Sequence, residues 1–394
     1  MNPRELVKAF GRGVNHFIPK RRHKILFESN SDYCDNTRAV YDYMVKNGYG
    51  EKYRFVWCVR DPKAFLPSDP KGVKDADGMT NTKLVTFQKK SGLLSYFFHM
   101  ATSKYIFYTH YVPPFCNARV QTVVNLWHGT PLKSIRGHVH PSSLFNSLLS
   151  PSDYFDPILA ESFDADPGQL AHCGYPRNDR LFEETDCLEK LGVRHGEFCS
   201  VLLWMPTFRR PADGAYQDAD VTPTGLPLIE TSAQLEELNT ALRERNLCLI
   251  IKLHPGQDLS GVDLVTLSNI RMLTNRELDE KSIQLYHLVA MADALLTDYS
   301  SIYFDYLLLD RPIGFIIDDI DVYRRNRGFV VEDPLPLMPG EKLKTAADLL
   351  RFLDDIAGGR DDYAEERKRV NDLANQFQGP GNAERFVRRF IGGK

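Results

Sequence analysis

The sequence predicts an α/β protein of two domains, each built on a largely parallel sheet. Short apolar runs alternate with helix-period segments along both halves of the chain, a charged stretch separates the halves, and 394 residues suffice for two cores. In the first half, strands are expected at residues 24–28, 53–59, 84–87, 105–108 and 120–127, with helices at 36–46 and 93–102 between them. The stretch from Arg180 to Phe198 then turns acidic and basic by turns, which puts the boundary near residue 190 and the domains at 1–190 and 191–394. The second half repeats the alternation. Strands are expected at 200–205, 247–254, 270–273, 294–298 and 313–317, and helices at 232–245, 282–292, 301–309 and 346–356. Two such domains in tandem suggest facing sheets, with ligands bound beyond the carboxyl ends of the strands.

Composition narrows the function. A net charge of −3 and a pI near 6.4 give no global basic field, so nucleic acid is not expected as a partner. The seven cysteines are odd in number and include no Cys-x-x-Cys pair, as expected for reduced thiols inside the cell. No apolar run is long enough to span a bilayer, and the run around Leu93–Phe98 is too short to be an anchor. Residues 1–24 carry seven Lys or Arg against the single acid Glu5, with Val7, Phe10, Val14, Phe17 and Ile18 at spacings of three and four. Two readings stand for this segment: a basic amphipathic helix on anionic lipid, or a solvated helix capping the first domain.

Three motifs fall where strands end. In Trp127-His128-Gly129-Thr130-Pro131-Leu132-Lys133, a histidine beside a glycine is placed either for general-base work or as a turn residue. In Ile250-Ile251-Lys252-Leu253-His254-Pro255-Gly256, strand alternation would put Lys252 and His254 on one face, as suits a diphosphate; a solvent-facing lysine beside a turn histidine is the other reading. In Thr297-Asp298-Tyr299-Ser300-Ser301-Ile302-Tyr303-Phe304-Asp305, the serines can cap a helix whose N–H groups hold phosphate. Asp305, one turn on, would accept from a polyol hydroxyl or pair with an arginine.

These segments, in this order, resemble the CDP-glycerol glycerophosphotransferase family of teichoic acid and capsule synthesis. The match extends to Gly174-Tyr175-Pro176-Arg177-Asn178-Asp179, Pro206-Thr207-Phe208-Arg209 and Arg327-Gly328-Phe329, covering about residues 100 to 335. The resemblance implies two Rossmann-like domains in a glycosyltransferase-B architecture, the first on the acceptor side and the second binding the CDP donor. It implies transfer of glycerol phosphate from CDP-glycerol to a hydroxyl of a lipid-linked saccharide or growing polymer, with CMP released and no metal or other cofactor. His128 is then the base and His254 a second catalytic histidine at the pyrophosphate. Gly129, Thr130, Pro131, Arg177, Pro206, Thr207, Lys252, Ser300, Ser301, Asp305 and Arg327 are expected to bind the donor. The protein is expected in the cytoplasm, peripheral on the inner face of the membrane. A CDP-ribitol donor, a nucleotide-sugar glycosyltransferase of the same fold and a catalytically silent scaffold are the alternatives. The Asp-x-Asp triplets at Asp75/Asp77, Asp164/Asp166, Asp218/Asp220 and Asp319/Asp321, and His138 and His140, are read as loop residues rather than metal ligands.

Overall fold

The computed structural model describes residues 3–62, 81–86, 90–135, 141–194, 196–207, 224–254 and 267–392. The chain forms two α/β units. The first comprises residues 1–128, 136–179 and 379–394, and the second comprises 129–135 and 180–378. Where one boundary near residue 190 was expected, the chain crosses between the units four times. The crossing at 179/180 lies close to the expected place, but the short 129–135 stretch and the C-terminal return carry no compositional signal.

The first unit holds a seven-stranded, all-parallel sheet in the order β3-β2-β1-β4-β5-β6-β7. Its strands are β1 (Arg21–Glu28), β2 (Arg54–Cys58), β3 (Thr82–Val85), β4 (Ser103–Tyr108), β5 (Thr122–Asn125), β6 (Ser147–Ser150) and β7 (Leu170–His172). Helices cover both faces, so the central strands read as apolar runs rather than as alternation; Ile25, Leu26 and Phe27 are all fully buried. Phe27 stacks on Trp57 across β1 and β2, with ring centroids 5.2 Å apart. The expected strand at 84–87 begins two residues earlier, and Phe87 lies outside the described residues. Strands β6 and β7 were not expected: Ser147–Ser150 is half polar and Leu170–His172 is only three residues, so neither stands out as an apolar run.

The C-terminal helix Asn382–Phe390 completes this unit. Asp179 accepts from the backbone N–H groups of Asn382 at 2.8 Å and Ala383 at 2.9 Å, placing a carboxylate on the positive end of the helix. Phe386 packs edge-on against Phe107 of β4, 4.9 Å between centroids. Gly174, at φ +70°, admits the Asn382 side chain where any Cβ would collide with it.

The second unit repeats the architecture with six parallel strands in the order β10-β9-β8-β11-β12-β13. They are β8 (Ser200–Met205), β9 (Leu247–Lys252), β10 (Ile270–Leu273), β11 (Ala294–Thr297), β12 (Ile313–Ile316) and β13 (Glu341–Leu343). Trp204, Leu249, Ile251, Leu296, Leu343 and Leu353 of the helix Ala346–Ala357 form its core without exposed surface. In both sheets the strand order reverses beside the first strand of the unit, the crevice where open α/β sheets take ligands. Among the described residues, no helix is long and apolar enough to cross a membrane.

Candidate functional site

In the first unit the functional end is built around His128, three residues beyond β5. The strand stops at Asn125 because the next carbonyls leave the ladder, and side chains take them over. Asn36 Nδ2, in the first turn of the helix Asp35–Lys46, donates to the carbonyls of Leu126 at 3.2 Å and Trp127 at 3.0 Å. Arg177 Nη1 donates to the carbonyl of His128 at 2.9 Å and to Asp35 Oδ1 at 2.8 Å, and the Arg177 N–H donates to Asn36 Oδ1 at 3.1 Å. Three successive carbonyls of the turn are thereby fixed from two other elements, and the left-handed backbone of Trp127 (φ 52°) is held in place. Trp127 anchors the turn edge-on against Phe163, 4.9 Å between ring centroids.

The His128 ring lies flat on that of His110, at the end of β4, with centroids 3.9 Å apart and an interplanar angle of 7°. His110 Nδ1 is 3.0 Å from Thr109 Oγ1. Burial drives the His128 pKa well below the ordinary histidine value, and the charges of His110 and Arg177 add to this against a hydrogen bond with the Thr109 backbone. Burial also lowers His110, partly offset by Asp35. His128 is therefore neutral at pH 7 and able to accept a proton. The stacked pair makes a prediction: on replacing His110 with glutamine, one source of repulsion against a proton on His128 disappears and its pKa rises. The acid limb of the kcat/KM profile should then move to higher pH, and an unmoved limb would show that the rings titrate independently.

In the second unit, the ends of β8, β9 and β11 meet the 129–135 stretch. Lys133 pairs with Phe329 in an antiparallel bridge, flanked by hydrogen bonds from Ser134 N–H to the Gly328 carbonyl (3.0 Å) and from Val330 N–H to the Leu132 carbonyl (2.9 Å). Gly129, at φ 133°, opens this stretch in a conformation that side chains resist. Lys133 Nζ donates to Thr207 Oγ1 at 3.0 Å and sits 5.8 Å from the centre of the Tyr323 ring. Thr207 in turn donates from its hydroxyl to Asp298 Oδ1 at 2.6 Å and from its N–H to Oδ2 at 2.8 Å. Lysine, hydroxyl and buried carboxylate form one charge-compensated knot joining the ends of β8 and β11.

Lys252 closes β9. It is buried, and its Nζ donates to the Leu253 carbonyl at 2.7 Å. Desolvation lowers its pKa to about 8, with Asp279 and Glu277 opposing. His254 lies beyond the strand, so strand alternation does not set the relation of the two side chains. His254 keeps an open edge to solvent while protein crowds its other sides. That crowding is the main cause of its lowered pKa, followed by the charges of Lys133 and Lys252, with Asp298 opposing. Water at the open edge offsets part of the desolvation, and the ring stays neutral at pH 7 until an anion arrives.

The third motif differs from expectation in two ways. Ser301 stands at the start of the helix Ile302–Tyr306, but its hydroxyl makes no capping bond, and the helix tightens to a 3-10 turn over Leu307–Leu309. Ser300 and Ser301 are half-buried, and their hydroxyls bind no other side chain or carbonyl among the described residues, which leaves them for a ligand. Asp305 is neither open to a polyol nor shown on an arginine. It is wholly buried and accepts from the Tyr286 hydroxyl at 2.5 Å. Pro206 is buried beside Thr207; Thr130 is fully buried with its hydroxyl lacking a partner, and Pro131 is buried next to it. Arg327 ends the helix Ile320–Asn326, half-buried. Arg177, expected at the donor, folds with the first unit.

A profile of the family described as CDP-Glycerol:Poly(glycerophosphate) glycerophosphotransferase matches residues 12–392. The chain belongs to this family. Among its relatives is the Teichoic acid poly(glycerol phosphate) polymerase of Bacillus spizizenii, 27% identical over 371 residues, covering 85% of this chain and 84% of the relative. The Teichoic acid glycerol-phosphate transferase of Staphylococcus aureus is 25% identical over 385 residues, covering 88% and 87%. The corresponding polymerase of Staphylococcus epidermidis is longer, and the match spans 47% of it. A solved structure of the wall teichoic acid polymerase TagF superposes with a TM-score of 0.74 at 21% identity, over 99% of this chain and 93% of that one. The glycotransferase of kitacinnamycin follows at 0.51 and 11%, over 94% and 99%. At these identities the likeness is one of fold, two Rossmann-like domains. The family is that anticipated from the motifs, and the protein is a CDP-glycerol glycerophosphotransferase by membership.

Among residues of the family motifs, Lys133 and Asp298 had been given no role of their own. Asp35, Asn36 and His110 were missed altogether. His110 carries the same signal that singled out His128, a histidine just past an apolar strand, whereas the clamp of Asp35 and Asn36 joins residues 90 or more positions apart and leaves no local trace. Phe208, Arg209, Pro255, Gly256, His138, His140, Asp75, Asp77, Asp218 and Asp220 lie outside the described residues. Asp319 is buried and accepts from Tyr299 at 2.9 Å, and Asp166 caps a 3-10 turn. Among the described residues, metal-like spacing occurs at Asp153, Asp156 and His172, where the imidazole is spent between the carboxylates, 2.9 Å from Asp156 and 3.4 Å from Asp153.

Proposed function

We propose that this enzyme transfers glycerol phosphate from CDP-glycerol to a hydroxyl of a lipid-linked saccharide or a growing teichoic-acid-like polymer. The observation that carries the reading is His128, a half-buried, neutral imidazole whose carrier turn is fixed at three successive carbonyls. In the reaction, the acceptor oxygen bonds to the β-phosphorus while His128 takes its proton. The bond from that phosphorus to the bridging oxygen breaks, and the oxygen leaves on CMP with the electron pair. Ser300, Ser301, His254 and Arg327 are the groups we assign to the donor diphosphate. An arriving dianion would raise the pKa of His254 and protonate it, supplying charge to the departing CMP. Gly129, Thr130 and Pro131 shape this wall. Thr207, Lys252 and Asp305 act behind it, because their polar atoms are already engaged within the protein.

With cations and hydroxyls assigned to the leaving group, the scheme draws on no metal ion. The expected result is CMP release from CDP-glycerol at an undiminished rate in EDTA; loss of turnover on chelation, restored by Mg²⁺, would overturn the metal-independent scheme. Ribitol stays as a second reading because relatives include the Teichoic acid ribitol-phosphate primase of Bacillus spizizenii, 25% identical over 310 residues. Preferential turnover of CDP-ribitol in the same assay would establish it.

The same proposal places the protein on the cytoplasmic face of the membrane, held peripherally. The helix Pro3–Phe17 supports this. Asn15 is buried and donates to the Phe115 carbonyl and to Gln121 Oε1, both at 2.8 Å, so the polar side of the helix docks inward. Its apolar row of Leu6, Val7, Phe10, Val14 and Phe17 faces out, the reverse of a helix that caps a core.

A further inference from the structure

At the end of the first sheet opposite the strand ends that carry His110 and His128, several cations gather with no acid paired to them among the described residues. The parallel register sets Lys24 of β1 beside Arg54 of β2, and Lys83 of β3 beside Val56, two residues further along β2. Side chains in register share a face, so Lys24, Arg54 and Lys83 project from one face of three adjacent strands. The helix Lys90–Thr102 borders the same place. Lys24 Nζ donates to Thr102 Oγ1 at 2.6 Å and lies 5.3 Å from the centre of the Phe98 ring, and the Arg21 guanidinium is 5.7 Å from that ring. His99 belongs to the group and has a buried Nδ1 without a partner.

Lys24 is only 3% exposed, whereas Arg21, Arg54 and Lys83 are open to solvent. None of the four forms an ion pair among the described residues. Burial, then Arg21, Lys83 and Arg54, bring Lys24 down to about 7, and burial followed by Lys24, Lys83 and Arg21 brings His99 down to about 4. Every neighbour that acts on these two groups pushes in the same direction. Such a cluster opposes the fold until an anion enters it. Beside it stand exposed apolar side chains, Phe98 and Leu94, and the Pro3–Phe17 helix runs through Ile18–Lys20 straight into β1.

We infer that Lys24, Arg54 and Lys83, with Arg21, bind the phosphate of an acidic phospholipid headgroup while Phe98 and Leu94 enter the adjoining acyl region. The inference rests on the peripheral-membrane reading above and gives it a specific ligand. A free phosphate or a polymer phosphodiester would satisfy the cations but not the apolar neighbours, which is why a lipid is the occupant assigned.

The test uses the Arg54→Gln/Lys83→Gln double variant, which changes exposed residues and spares Lys24, whose loss could unfold the unit. Vesicles of phosphatidylglycerol with phosphatidylcholine should bind this variant roughly 10- to 50-fold more weakly than the wild type. Its melting temperature and its CMP release on a soluble glycerol-phosphate oligomer should be unchanged. Millimolar glycerol 1-phosphate should release the wild type from the same vesicles. Equal vesicle binding by variant and wild type would overturn the inference, as would tight binding of the soluble oligomer at this edge with no vesicle binding. A Phe10→Ser/Phe17→Ser variant tests the helix separately: if it alone abolishes vesicle binding, membrane attachment stands and the headgroup site falls.

Discussion

The His128→Ala variant should lose about 10²- to 10⁴-fold in kcat while still binding CDP-glycerol. In the proposed scheme His128 meets the acceptor proton only as the new P–O bond forms, so its removal raises the barrier without removing donor contacts. The groups assigned to the donor belong to the other unit, and nothing in the Lys133–Thr207–Asp298 knot depends on the imidazole. Single-turnover CMP release together with donor binding by calorimetry would separate the two effects. A variant with near-normal turnover would remove His128 from the chemistry, and one that no longer binds donor would make it a binding residue.

Replacing Arg177 with alanine should be among the most damaging single changes in the first unit. Its guanidinium and Asp35 form an almost fully buried ion pair, with side-chain exposures of 8% and 11%. Removing one partner strands the other charge and frees the His128 carbonyl, a cost of roughly 3–5 kcal/mol in the first unit. Thermal melts should show that unit destabilised, and kcat should fall because the turn bearing the base is released. The double variant Arg177→Ala/Asp35→Ala should recover part of the stability but not the activity, since the carbonyl clamp is still missing. Full additivity of the two losses would mean that the pair is not coupled.

Much of this was readable beforehand because buried parallel strands have to be apolar runs. Expected strands at 200–205 and 270–273 coincide with β8 and β10, and the motifs do fall at strand ends. Legibility failed where structure depends on partners distant in sequence. β6, β7 and β13 carry too few apolar residues to stand out as strands and exist because neighbouring strands offer a ladder. The motif Trp127–Lys133 looked like one site element, yet His128 folds with the first unit and Gly129 onward with the second. Asp305 sat at a spacing that suited a ligand carboxylate, but helical spacing does not reveal which face is buried, and the Tyr286 hydroxyl claims it. In Gly174–Asp179, resemblance pointed Arg177 at the donor; the contacts make the segment a hub in which Arg177 holds the His128 carbonyl and Gly174 and Asp179 receive the C-terminal helix.

That last arrangement orders events during synthesis. The second unit is contiguous from Arg180 to Gln378 apart from one short stretch made earlier, so it can assemble as soon as those residues leave the ribosome. The first unit, although most of it is translated first, must wait for Asn382 and Ala383 to reach Asp179 and for Phe386 to settle on Phe107. The Gly174–Asp179 segment, which carries Arg177 to the His128 carbonyl, is the same one on which the last helix closes, so the first unit is completed from residues far apart in the order of synthesis.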